Sequence, residues 1–165
     1  MSPAGDRSVP ESFPETACPR HSHAGNYCCL DLQQLSTNIV SQSDIAVSVH
    51  ARVISTYPSR ANGEVLIDAG GLAMSKDTGP FPEVGRVISP SHLNDWNVSR
   101  VSQEHGILVR SGDRGRSTSE TRPVAGDVLR VVGQHACMIL AAHPWYYVVE
   151  GDDVIRDVWV PVKGW

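Results

Sequence analysis

The chain holds 165 residues, enough for one ordinary domain and too few for two. An apolar fraction of 41% and a mean hydropathy of −0.19 supply a core, and no run approaches the roughly 18 apolar residues of a membrane span. Fourteen Lys and Arg stand against 18 Asp and Glu, a net charge of −4 with no basic stripe, which argues against nucleic acid as a partner.

Residues 1–21 carry Pro3, Pro10, Pro14 and Pro19 and few large apolar groups, so this stretch is expected to be disordered or a remnant. It shows no apolar segment of the secretory type. The cysteines at 18, 28, 29 and 137 match neither a disulfide framework nor a zinc knuckle, and a reducing, cytoplasmic compartment is expected. Residues 22–44 read as a connection: the Gly-containing loop His23-Ala24-Gly25-Asn26-Tyr27, then a short apolar segment, loop or helix.

From residue 45 the pattern changes to strands. Val- and Ile-rich alternation predicts them at 45–55, 64–67, 85–88, 96–103, 106–109, 128–132, 146–150 and 154–160. Asn62-Gly63 and Gly151-Asp152-Asp153 suit hairpin turns. The Gly/Ser/Pro-bearing stretches 77–84 and 111–123 are expected to be mobile surface loops. Many short strands with little helical pattern predict a mainly β protein, an antiparallel barrel or sandwich over 45–165.

Several residue groups are candidates for chemistry. His135 and Cys137 follow a strand and a Gly133 turn; in an extended segment residues i and i+2 share a face, so both could reach one ion such as Zn²⁺. A buried thiol beside a satisfied histidine is the plainer reading of the same pair. Glu104 and His105 sit at a strand end, as a surface turn or as acid, base or partner to a metal ligand. His143 precedes Pro144, and Trp145, Tyr146 and Tyr147 are expected to pack into the core. The Gly25 turn could offer backbone N–H groups to a phosphate. Asp68-Ala69-Gly70-Gly71 ends a strand with glycines that permit close backbone approach, or simply make a tight turn.

In order, the segments HAGNYCCLDLQQ, VLIDAGGLAMSKD, SQEHGILV, GDVLRVVGQHACMILA, YYVVEGD and VWVPVKGW resemble the C-terminal part of the D-serine dehydratase and D-threonine aldolase family. These are pyridoxal phosphate enzymes of the alanine-racemase fold type. The resemblance runs from about residue 23 to 165 and implies the C-terminal β domain of such an enzyme, with 22–44 as the last turn of a (β/α)₈ barrel. It assigns His135 and Cys137 as metal ligands, where Cys in place of the aldolases' Asp implies the dehydratase branch and zinc. Gly133-Gln134 stands where the family has Pro-Asn. Gly25, Asn26 and Tyr27 match the family's cradle for the cofactor phosphate.

The implied reaction is β-elimination of D-serine to pyruvate and ammonia, with zinc assisting departure of the hydroxyl. The family's cofactor-bearing lysine lies in a barrel strand, and a barrel takes about 250 residues. Neither Lys76 nor Lys163 matches that position, so the chain alone is expected to be catalytically incomplete. It would act with a barrel chain or as a homodimer. A D-threonine aldolase-like lyase domain and a non-catalytic β-barrel module are the alternatives.

Overall fold

The computed structural model describes residues 25–60, 63–111, 121–151 and 154–162. Most of the loop 111–123, His23, Lys163 and residues 1–21 lie outside the described residues. Six strands close into an antiparallel barrel, β1 (Val49–Tyr57), β2 (Glu64–Ile67), β3 (Gly85–Ser89), β4 (Trp96–Val101), β5 (Gly106–Arg110) and β6 (Val128–Gly133), in the order β1-β2-β5-β4-β3-β6. Strands β7 (Tyr146–Glu150) and β8 (Val154–Trp159) form a separate hairpin.

Period-two alternation drives the barrel. In β1, Val49, Ala51 and Val53 turn inward while His50, Arg52 and Ile54 face out. These inward residues meet Val65, Ile67, Val87, Val98, Leu108, Leu129 and Val131 around Trp96, which is 1% exposed. Closure needs curvature, and the register shifts between Val53 and Ser55, between Val87 and Ser89 and between Val98 and Arg100 supply it as bulges. Gly63 takes a positive φ of 56°, as the turn before β2 requires.

The described residues include three short α-helices: α1 (Leu32–Leu35) ahead of the strands, α2 (Gly71–Met74) between β2 and β3, and α3 (Ala136–Ala142) between β6 and β7. The first lies in the segment read as a connection. Leu32 and Ile45 pack with Val132, Phe81 and Ile88, and the Ala46 N–H donates to Cys29 O at 2.7 Å. That anchoring explains why β1 begins at Val49 rather than at residue 45.

Two expectations are corrected. The loop 77–84 is pinned rather than mobile: Glu83 is buried and pairs with Arg86 at 2.7 Å, and the buried Gln134 amide donates to Glu83 O at 2.5 Å and reaches Phe81 O at 3.4 Å. Gln134, which departs from the Pro-Asn expected from the resemblance, ties this loop to the end of β6. Nor do the aromatics near the C-terminus fill the core. Trp145 is 51% exposed and Tyr147 59%, and every residue of β8 is exposed, Trp159 to 60%. The alternation is present, but neither face of this hairpin is buried against the barrel.

Candidate metal centre

Strand β6 delivers the chain directly into α3, and His135 stands at the junction as its N-cap residue, with φ −139° and ψ 101°. Cys137 is the second residue of the helix. The extended geometry that placed both side chains on one strand face is therefore replaced by a strand-to-helix turn. Ala136 between them is buried to 1%, whereas His135 is half-buried and Cys137 exposed.

The imidazole is oriented by a residue that sequence reasoning missed. His135 Nδ1 lies 2.5 Å from Asp77 Oδ2. With the Nδ1 hydrogen given to that carboxylate, Nε2 carries the lone pair, the arrangement in which histidine ligates a metal and a carboxylate fixes ring and tautomer. Asp77 is itself placed by the C-terminus of α2, where its N–H donates to Ser75 Oγ at 2.9 Å. Nothing in the spacing of Asp77 and His135, 58 residues apart, announces this contact.

Below the pair lies the carboxylate of Asp31, 1% exposed. Its Oδ1 accepts the Gln33 N–H at 3.0 Å and the Gln34 N–H at 3.1 Å, capping α1, and its Oδ2 accepts the Ala136 N–H at 2.8 Å. Asn26 Nδ2 also donates to Asp31 Oδ2. The Gly25-Asn26-Tyr27 turn is thus joined to the helix that carries Cys137. Among the described residues an added Cβ at Gly25 would meet nothing within 4 Å, and Tyr27 is 70% exposed. Cys29 and Leu30 fold back and donate to Asn26 O at 2.9 and 2.8 Å.

Two further thiols lie nearby. Cys28 Sγ and Cys29 Sγ are 3.7 Å apart, and Cys28, Cys29 and Cys137 are all free. Burial, reinforced by the Cys28 thiol and by the negative charge that Cys28 and Cys137 carry when ionised, pushes the Cys29 thiol up to about 11. Cys29 is held protonated near neutral pH and is a poor ligand or nucleophile there. Among the described residues no three His, Cys, Asp or Glu groups converge as a metal cage.

The Glu104-His105-Gly106 turn does meet the Gly70-Gly71 motif, through backbone. Gly71 N–H donates to Ser102 O at 2.8 Å and Leu72 N–H to Gln103 O at 3.0 Å, while the Glu104 and His105 side chains are exposed. This seats α2, which in turn contacts α3. His143 is a satisfied structural residue, its Nε2 donating to Ala73 O at 3.1 Å. Lys76 is exposed, and its side chain lies close beside Gly71. No helix among the described residues is long and apolar enough to cross a membrane.

The family described as "Putative serine dehydratase domain" matches residues 46–149. A D-serine dehydratase of Schizosaccharomyces pombe is 45% identical over 159 residues, which cover 95% of this chain and 37% of that protein. Among solved structures, the D-threo-3-hydroxyaspartate dehydratase from Delftia sp. HT23 superposes with a TM-score of 0.70 at 28% identity, covering 85% of this chain and 38% of that one. The same dehydratase has been solved as a His-to-Ala mutant and, two positions further along, as a Cys-to-Ala mutant in a metal-free form, with TM-scores of 0.70 and 0.71. A D-threonine aldolase from Filomicrobium marinum, 22% identical with a TM-score of 0.64, shares the fold. The chain spans little more than a third of the length of these dehydratases.

Proposed function

The chain belongs to the serine dehydratase domain family, and from that premise we propose that it is the metal-binding β domain of an enzyme that eliminates water from D-serine to give pyruvate and ammonia. The observation that carries the reading is the His135-Ala136-Cys137 turn at the head of α3, with the His135 ring already oriented by Asp77. The same His-x-Cys spacing separates the two substituted positions in the dehydratase solved in mutant and metal-free forms.

The donor set suits zinc: an imidazole nitrogen and a thiolate sulfur are the ligands a borderline-soft ion takes together. Two protein ligands leave the remaining positions to water or to the substrate hydroxyl. Zinc bound there would supply Lewis acidity toward the departing β-hydroxyl. This chain's contribution is to hold the site: Asp77 fixes the imidazole, and the Ala136 N–H bond to Asp31 fixes the turn. Manganese, an ion that prefers oxygen ligands, fits the thiolate less well.

For pyridoxal phosphate, the fit covers only the phosphate end. Gly25, Asn26 and Tyr27 would line one side of it, and no described residue comes within 4 Å of the space a Cβ at Gly25 would take. The cofactor, when bound, supplies an electron sink for the carbon that loses its proton. Its lysine belongs to a barrel, in the same protein or in another chain, and the exposed apolar residues of β7 and β8 are the surface offered for that contact. A homodimer would bring a second copy to the same face. Free thiols at Cys28, Cys29 and Cys137 suit a reducing cytoplasm.

The aldolase reading is second: Cys137 occupies the place where the resemblance gives aldolases an Asp. Two measurements separate the readings. Metal analysis of the purified protein is expected to find close to one zinc per chain, and its absence would defeat the metal claim. Pyruvate release from D-serine is expected only when a lysine-bearing barrel is present; glycine formed from D-threonine in its place would favour the aldolase.

A further inference from the structure

We propose that Asp31 is a positioning residue for the metal centre, joining the Asn26 loop to the ligand-bearing turn through one carboxylate oxygen. The proposal rests on the zinc reading above. Ala136 is the residue between the two ligands, and its N–H is held by an oxygen that comes from 105 positions earlier in the chain. The peptide that sets the separation of His135 and Cys137 is therefore anchored outside its own helix.

The chemistry explains why this anchor is firm. A carboxylate at 1% exposure is stable only when its oxygens are satisfied, and here Gln33, Gln34, Ala136 and Asn26 all donate to it. Oδ1 caps α1, a task that Ser or Asn performs as well. Oδ2 has the separate role: it holds Ala136 and Asn26 at once, so withdrawing either donor leaves a buried charge less well compensated. Displacement of the Asn26 loop is thereby transmitted to the metal pair through Asp31, the carboxylate to which the Asn26 side chain donates.

Asp31→Asn isolates this role, because it keeps an oxygen to cap α1 and turns an NH₂ toward the two donors at Oδ2. Asp31→Ser also caps α1 but is too short to reach Ala136, and it carries the test if the Asn variant fails to fold. Zinc affinity is read by competition with a chromophoric chelator, the fold of the metal-free protein by circular dichroism, and ligand geometry from the thiolate charge-transfer band of the cobalt(II)-loaded protein. Expected is a loss of affinity of about tenfold, the lower end for outer-shell partners, with an altered cobalt band and an unchanged metal-free fold. Asn26→Ala is expected to shift the same band through Asp31. Wild-type affinity and spectrum in all the variants would overturn the proposal while leaving zinc binding intact; a wild type that binds no zinc would overturn the metal reading and this proposal with it.

Discussion

Replacing His135 with alanine is expected to take the zinc content of the purified protein from near one per chain to near zero. In the proposed site the imidazole would be one of two ligands from the described residues, so its loss would leave the ion on a single thiolate in water. That cost must exceed the roughly 10–100-fold loss of affinity typical for partners outside the coordination shell. The fold should survive. His135 caps α3 without a side-chain bond to its backbone, and among the described residues its side chain pairs with Asp77. Removing that pair costs about 1 kcal/mol, a shift of roughly 2–4 °C in the melting of the metal-free protein. Cys137→Ser, at an exposed position, should lose the metal with still less effect on folding. Zinc retained at full stoichiometry in either variant would mean that the ion sits elsewhere.

Gly70→Ala is expected to destabilise the protein by about 3 kcal/mol. A Cβ at Gly70 would fall 2.3 Å from Gln103 O, 2.4 Å from His105 N and 2.5 Å from Glu104 C. All three are backbone atoms, which cannot swing aside as a side chain can. Relief requires moving the β4–β5 turn away from α2, at an overpacking cost of about 1–3 kcal/mol. It also weakens the bonds from Gly71 and Leu72 to Ser102 and Gln103, each worth about 1 kcal/mol. Gly25→Ala is the control: its Cβ meets none of the described residues within 4 Å, and its melting should match the parent. Equal melting of both variants would show that the packing of α2 on this turn is loose.

Strands were legible in the sequence because their signal is local. Alternation of branched and polar residues marked the segments that became β1 to β8, and the bounds of β2 and β7 agree to the residue. The helices were less so: the segment that holds α1 reads equally as loop or helix, and α2 and α3 were not expected. Ala136–Ala142 is a seven-residue apolar run, too short for helical and extended periods to be told apart, and α1 is four residues whose chief signal is the capping Asp31. Burial of the last hairpin was misjudged because alternation reports which residues share a face, not whether anything covers it.

The proposed ligand pair was suggested by two residues and a resemblance. Its supports were not: Asp77 and Asp31 reach the turn from 58 and 105 positions away, and no local pattern encodes such contacts. Gly70 lies between these extremes. Paired glycines after a strand suggested close backbone approach, and the approach is real, but the partner, the Glu104-His105 turn, emerged only from the closed barrel.

X-ray absorption at the zinc edge of the purified wild-type protein tests the metal assignment most directly. One sulfur at about 2.3 Å and at least one nitrogen at about 2.0–2.1 Å are expected, the distances of cysteine and histidine ligands. A shell of nitrogen and oxygen alone, with no sulfur, would contradict coordination by His135 and Cys137.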